Sequence, residues 1–217
     1  MSWQQAALAL RRLRYRRQVR GTALERCWHE WQAGPRRDWR EQEFLAVDAE
    51  MSSLDPQEGE LLSLGWVAIE DAAIPLASGE HHLLQPERSV GQSATIHHLR
   101  DCEFEEALSP REVAERFLCA ASGRTLVFHN AQLDLAFLDL ACEHLYGAPL
   151  LLPFADTMAI EHRQMQRRQM AIKAGDLRLG ACRERYNLPV YPAHNALVDA
   201  LATAELLLAQ LERGVAL

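Results

Sequence analysis

The chain has 217 residues, 48% of them hydrophobic and 24% charged, which excludes wholesale disorder and suffices for the core of one ordinary domain. No apolar run approaches the roughly 20 residues of a membrane span, and the N-terminal segment lacks the apolar stretch of a secretory signal, so no membrane partner is expected. The net charge of −7 is unevenly spread: residues 1–40 hold ten arginines against three acids, a balance of +7, which leaves −14 on the other 177 residues. A basic arm on an acidic body points to two regions with different tasks. Cys27, Cys102, Cys119, Cys142 and Cys182 are odd in number and form no CxxC pair. That favours reduced thiols in a cytoplasmic protein over a disulfide framework or a zinc site.

The arm, residues 1–40, reads as two helices ahead of a domain over 41–217. In Met1–Arg20, Trp3, Ala6, Leu10 and Leu13 fall on one helical stripe, with Arg11, Arg12, Arg14, Arg16, Arg17 and Arg20 around it. Leu24, Cys27, Trp28 and Trp31 follow the i, i+3, i+4, i+7 spacing of a second apolar face, and Gly34-Pro35 stops that helix. One use of the arm is packing on the body through Trp28 and Trp31 with the arginines paired to acids. The others are nucleic-acid contact, docking of a partner protein and a mitochondrial transit peptide.

In the body, Phe44–Asp48 is a short apolar strand, and Leu61–Ile69 and Ile74–Leu84 are further strands joined by Glu70-Asp71. Ser109-Pro-Arg-Glu112 is a capping box with proline at the first helical position, so a helix is predicted to about Ala121. Thr125–His129 is a strand, Leu133–Tyr146 a helix and Leu150–Ala155 a fifth strand. Helical patterns cover Thr157–Lys173, Asp176–Tyr186 and Ala196–Leu211. Strands first, then strands alternating with helices, predict an α/β fold: a mixed sheet with helices on its faces.

Carboxylates at the ends of these strands carry the chemistry. Asp48 and Glu50 are two apart, so an extended chain points both to one face. Side by side they repel, and a hard divalent cation relieves them; a solvated strand end is the alternative. Asp134 falls near the start of the helix after Val127-Phe-His-Asn, where it equally suits a charge at a helix N-terminus. His194 and Asp199 are about 140° apart on an ideal helix, so they share a site only if His194 lies in the loop before it. Together, three acids on separate elements, a partnered acid and a histidine match the parts of two-metal phosphodiester hydrolysis.

These motifs resemble the DnaQ-like 3′–5′ exonucleases, the DEDDh group that includes the epsilon subunit of DNA polymerase III, ribonuclease T and oligoribonuclease. Asp48-Ala-Glu50-Met-Ser-Ser-Leu-Asp-Pro56 is similar to the first family motif, His129-Asn-Ala-Gln-Leu-Asp134 to the second, and His194-Asn-Ala-Leu-Val-Asp199 to the third. The resemblance implies a ribonuclease-H-like fold with a five-stranded mixed sheet flanked by helices, the arm being extra to it. It implies two Mg²⁺ or Mn²⁺ ions: Asp48, Glu50 and Asp199 at one, Asp48 and Asp134 at the other, with His194 as general base. It further implies stepwise release of 5′-mononucleotides from the 3′ end of single-stranded DNA or short RNA, and admits a polymerase or other protein as the arm's partner. Met51, Ser52, Ser53 and Leu54 should approach the terminal nucleotide, with Asn130 and His97 beside it. Ser53 replaces the family's glycine and loses its freedom at positive φ. Rival readings are a non-catalytic binding module on the same scaffold and an oligoribonuclease-like scavenger of very short RNA.

Arg163, Arg167, Arg168 and Lys173 face only Glu161 in charge over 157–175, which fits phosphate tracking or a solvated helix face. Asp156 reads as a helix cap rather than a sixth ligand. His81-His82 and His97-His98 lack ligand spacing.

Overall fold

The computed structural model of the chain describes residues 3–30, 38–85 and 107–215. Trp31, Gly34-Pro35, His97-His98 and Cys102 lie outside them. Helices α1 (Trp3–Tyr15) and α2 (Ala23–Glu30) precede strands β1 (Phe44–Met51), β2 (Leu61–Ile69) and β3 (Glu80–Leu83). Then come α3 (Pro110–Ala121), β4 (Thr125–Phe128), α4 (Ala131–Tyr146), β5 (Phe154–Asp156), α5 (Thr157–Arg167), α6 (Leu179–Glu184) and α7 (Ala196–Glu212). The five strands form one mixed sheet in the order β3-β2-β1-β4-β5. β2 runs antiparallel to β1 and β3, and β4 runs parallel to β1 and β5. The expected capping box is present: Ser109 Oγ accepts from Glu112 N while Glu112 reaches back to Ser109 N.

Strand periodicity divides β1 between the two faces. Leu45, Val47, Ala49 and Met51 join Trp66, Phe117, Phe128 and Phe137 in a core that also takes Val19, Leu24, Cys27 and Trp28 from the arm. Phe44 and Ala46 face the other way, with Val67, Ile69, Val127 and Ile160, under Leu207 and Leu211 of α7. Asp48 and Glu50 continue that second series, so the alternation delivers both acids to the side that α7 covers.

Four expected elements start later or end earlier. Pro75, with no N–H for a ladder, and a 3₁₀ turn at Leu76–Ser78 break the third strand; Ser78 Oγ accepts from Ala68 N there and donates to Pro75 O. Leu150–Leu152 is buried but stays out of the sheet. Leu151 has φ 49°, Pro153 follows, and the arm takes the carbonyls: Trp28 Nε1 donates to Leu150 O at 2.6 Å, and Arg12 Nε and Nη2 to Leu151 O at 3.0 and 2.8 Å. The helix from Thr157 ends at Arg167, with Gln169 at φ 54°, and the next is only Leu179–Glu184.

The arm packs on the body, one of its expected uses, yet its stripe is rotated. Leu8 and Tyr15 lie against the core, whereas Leu10 and Leu13 are 70% and 63% exposed. The anchor is Trp28, an apolar ring with a satisfied N–H. Trp28→Ala is expected to lower unfolding free energy by about 3–5 kcal/mol, read from the urea midpoint; an unchanged midpoint overturns the anchoring.

Candidate active site

The site forms where the C-terminal ends of β1 and β4 meet the N-terminal ends of α4 and α7. Carboxylate oxygens of Asp48, Glu50 and Asp199 lie within 4.8 Å of one another. Asp134, one turn into α4, is buried beside them, and its Oδ1 accepts from Ala49 N, between the two β1 acids, at 3.1 Å. His194 sits in the loop immediately before α7, at φ 69°, and its N–H donates to Asp199 Oδ2 at 2.8 Å. The helical-wheel separation of His194 from Asp199 is thereby removed: the histidine is not on the helix. Asn195 caps that helix, its Oδ1 accepting from Val198 N at 3.1 Å.

Asp199 reaches β1 because α7 approaches β2 closely at one glycine. Gly65 pairs with Asp48 across the β1–β2 ladder, and a Cβ there would stand inside the backbone of Ala196 and Leu197. An isolated glycine within a strand is the signal of such an approach.

Electrostatics work against this arrangement. Burial, then Asp134, Asp199 and Glu50, holds Asp48 well above the usual carboxylate range. Burial pushes Asp134 to about 7, against hydrogen bonds that favour its charge, and Asp199 is raised by burial as well. Oxygen-only donors whose charges destabilise one another fit a hard cation such as Mg²⁺ or Mn²⁺.

Against protein families, the exonuclease model RNase_T matches residues 45–207, three quarters of the chain. This chain belongs to the DnaQ-like exonuclease family. It is 30% identical over 166 residues to the PolC-type DNA polymerase III of Thermotoga petrophila, covering 76% of this chain but only 12% of that protein. To the DNA polymerase III epsilon subunit of Treponema pallidum it is 26% identical, covering 75% of this chain and 74% of the subunit. Among solved structures, the nuclease domain of 3′hExo, a DEDDh family member bound to rAMP, superposes with a TM-score of 0.65 at 15% identity, over 82% of this chain and 96% of that one; that likeness shows the fold.

In this member of the family the other expected site residues lie at the end of β1 and on the turn after it, at the start of α4 and on α5. Met51 is buried at the irregular end of β1. Ser52 and Ser53 open the turn that follows: Ser52 Oγ accepts from Glu60 N and Ser53 Oγ from Asp55 N. Ser53 keeps a negative φ, so glycine's freedom is not needed. Leu54 is 80% exposed. Asn130 is exposed at φ 72°, and Arg163 and Arg167 are exposed on α5. His97 lies outside the described residues.

Asp156 caps α5 as expected, through Met158 N and Ala159 N, and also accepts from Asn130 N and Ala131 N at 3.1 Å each. One carboxylate thus holds the first turns of two helices, one of them carrying Asp134. His129 Nε2, 2.8 Å from Leu177 O, carries a hydrogen because a carbonyl only accepts; burial lowers its pKa. The loop bearing His194 has an anchor that the sequence did not disclose. Buried Arg183 donates to Pro189 O and Glu205 Oε2, stacks on Tyr191, and Tyr191 OH donates to Glu205 Oε1.

Two measurements follow from this geometry. Gly65→Ala is expected to destabilise by about 1–3 kcal/mol and to weaken cation binding, because α7 must move off the sheet; unchanged melting and binding would refute the close approach. A carboxyl raised to about 7, as at Asp134, keeps a proton in the fold that the unfolded chain has released. Its contribution is full below the ordinary carboxylate pKa and is lost as pH rises through about 7. Metal-free protein should therefore melt lower at pH 8 than at pH 6, and Mn²⁺ should raise the melting point more at pH 8, where fewer protons compete. Asp48→Asn should raise the metal-free melting point by roughly 2–4 °C, equivalent to about 1 kcal/mol, and abolish the Mn²⁺ effect; equal Mn²⁺ shifts at both pH values rule out protons competing with the cation.

Proposed function

We propose that this chain is a DEDDh-type 3′–5′ exonuclease that removes 5′-mononucleotides from single-stranded DNA or short RNA. The observation that carries the reading is the convergence of Asp48, Glu50 and Asp199 within 4.8 Å, with Asp134 and the His194 loop against them. Asp48, Glu50 and Asp199 would hold one Mg²⁺ or Mn²⁺, and Asp48 with Asp134 a second. When bound, two such ions neutralise the scissile phosphate and acidify a water.

The protein's own contributions are positional and protonic. The His194 imidazole takes the proton of the attacking water, as general base. Its backbone N–H, held by Asp199 Oδ2, ties the base to a ligand of the cation, so the two keep one geometry. The water oxygen bonds to phosphorus as the P–O3′ bond breaks, and the leaving O3′ takes a proton from solvent. The turn at Met51–Leu54 and the exposed Asn130 would receive the terminal nucleotide, and Arg163 and Arg167 would supply charge for the phosphates behind it. The two polymerase III relatives support DNA as one substrate, and a polymerase as a partner.

With a 5′-labelled 20-mer, wild-type protein in Mn²⁺ should shorten the strand from its 3′ end, and EDTA should stop it. Asp48→Ala or Asp199→Ala should lower the rate by at least about a thousandfold without unfolding. His194→Ala should lose roughly 10²–10⁴ in rate yet keep the Mn²⁺-dependent rise in melting point. Near-normal turnover in the aspartate variants rejects the site, and a folded wild-type protein that binds the strand without cutting it establishes a binding module instead.

A further inference from the structure

The acidic site leaves several of the arm's arginines without a task. Arg11, Arg14, Arg16, Arg17 and Arg20 are exposed. Among the described residues none of them makes an ion pair or a side-chain hydrogen bond; Arg14 lies over the Tyr15 ring, and Arg11 only lowers the pKa of Asp139 from a distance. Pairing with the body's acids, one expectation for the arm, is met by Arg40 with Glu212 and not by these five. It is Arg12 alone of this group that turns inward, to Leu151 O and Trp28 O. Five guanidinium groups on one short helix and the turn after it repel one another, although residues 41–217 carry a balance of −14.

Their position is fixed by α4. The arm seats at that helix's C-terminal end, where Gln18 lies against Gly147 and Trp28 and Arg12 bond Leu150 and Leu151. Asp134 is in its first turn. Twelve residues of α-helix separate Asp134 from Tyr146, about 18 Å at 1.5 Å per residue, so basic surface and acidic site occupy opposite ends of one rigid element. At roughly 3.4 Å per stacked nucleotide, that span is about five or six nucleotides.

We propose that the outer face of α1 with its following turn is a second, non-catalytic nucleic-acid contact, which holds the phosphates of the substrate strand several nucleotides upstream of the 3′ end. The proposal rests on the exonuclease reading above. A guanidinium fork matches a phosphate in shape and charge, and on an acidic body that repels polyanions the uncompensated arginines are where an upstream backbone finds countercharge. Strand length is the discriminating variable, because a dinucleotide in the acidic site cannot span the distance.

The test compares wild type with Arg14→Ala/Arg17→Ala/Arg20→Ala, whose side chains make no ion pair or hydrogen bond among the described residues, Arg14 lying only over the neighbouring Tyr15 ring. For a single-stranded 20-mer, KM should rise on the order of tenfold with kcat unchanged, and the salt dependence of binding should flatten by about 2 in log–log slope, near 0.7 for each phosphate no longer neutralised. Dinucleotide hydrolysis should not change. Anisotropy of a fluorescein-labelled 20-mer in EDTA reads the binding of the arm without turnover, so a failed nuclease reading and a failed arm reading are separable. A 20-mer KM and salt slope equal to wild type overturn the proposal and leave Leu10, Leu13 and the arginines as a protein-docking surface. Equal losses on dinucleotide and 20-mer overturn it too, since they mean damage to the acidic site.

Discussion

Like charges do not gather unless something holds them, and here the backbone holds them. Asp48 and Glu50 stand side by side because β1 is a strand, and Asp199 joins them because α7 comes down on β2 where Gly65 has no side chain. Two of the acids are moored to backbone N–H groups: Asp134 to Ala49 N, Asp199 to His194 N. The fold carries that cost: burial and then the neighbouring acids raise the pKa of Asp48 and Asp134, and burial raises that of Asp199. A cation held by such a site would remove a penalty that folding had to carry.

The same tripeptide builds two different turns around this cluster. His129-Asn-Ala precedes Asp134, and His194-Asn-Ala precedes Asp199. In the first, Asn130 takes the left-handed conformation and Asp156 binds the turn's N–H groups. In the second, His194 is left-handed, and the anchor is Asp199 itself with Asn195 as cap. Local sequence is equal in the two places; the surrounding partner decides which residue is bent. Non-glycine residues at positive φ persist only where neighbours over-determine them, and both turns sit against the acids.

The arm and the body complete one another. The carbonyls of Leu150 and Leu151 are outside the sheet, and Trp28 and Arg12 supply the donors they would otherwise lack. Buried carbonyls need partners, so the arm explains why the segment before β5 is irregular although its residues are apolar. Arg12 serves this joint while its neighbours face water.

Periodicity, caps and motif order sufficed for the strand and helix sequence, the mixed sheet and the five candidate residues, because alternation along β1 and the Ser109 capping box act within a few residues. Sequence spacing also tied His194 to a loop as the condition for joining Asp199. Which stripe of α1 faces inward, where β3 and β5 truly begin, and the Arg183–Glu205–Tyr191 anchor were decided only in three dimensions. For the arm and the Arg183 anchor a partner distant in the chain, Leu151 for Arg12 and Glu205 for Arg183, supplies the bond that overrides local preference; for β3 it is Pro75 and the turn after it. Gly65 stands between the two: a glycine in a strand announces a close approach, but only the folded chain names α7 as the element that makes it.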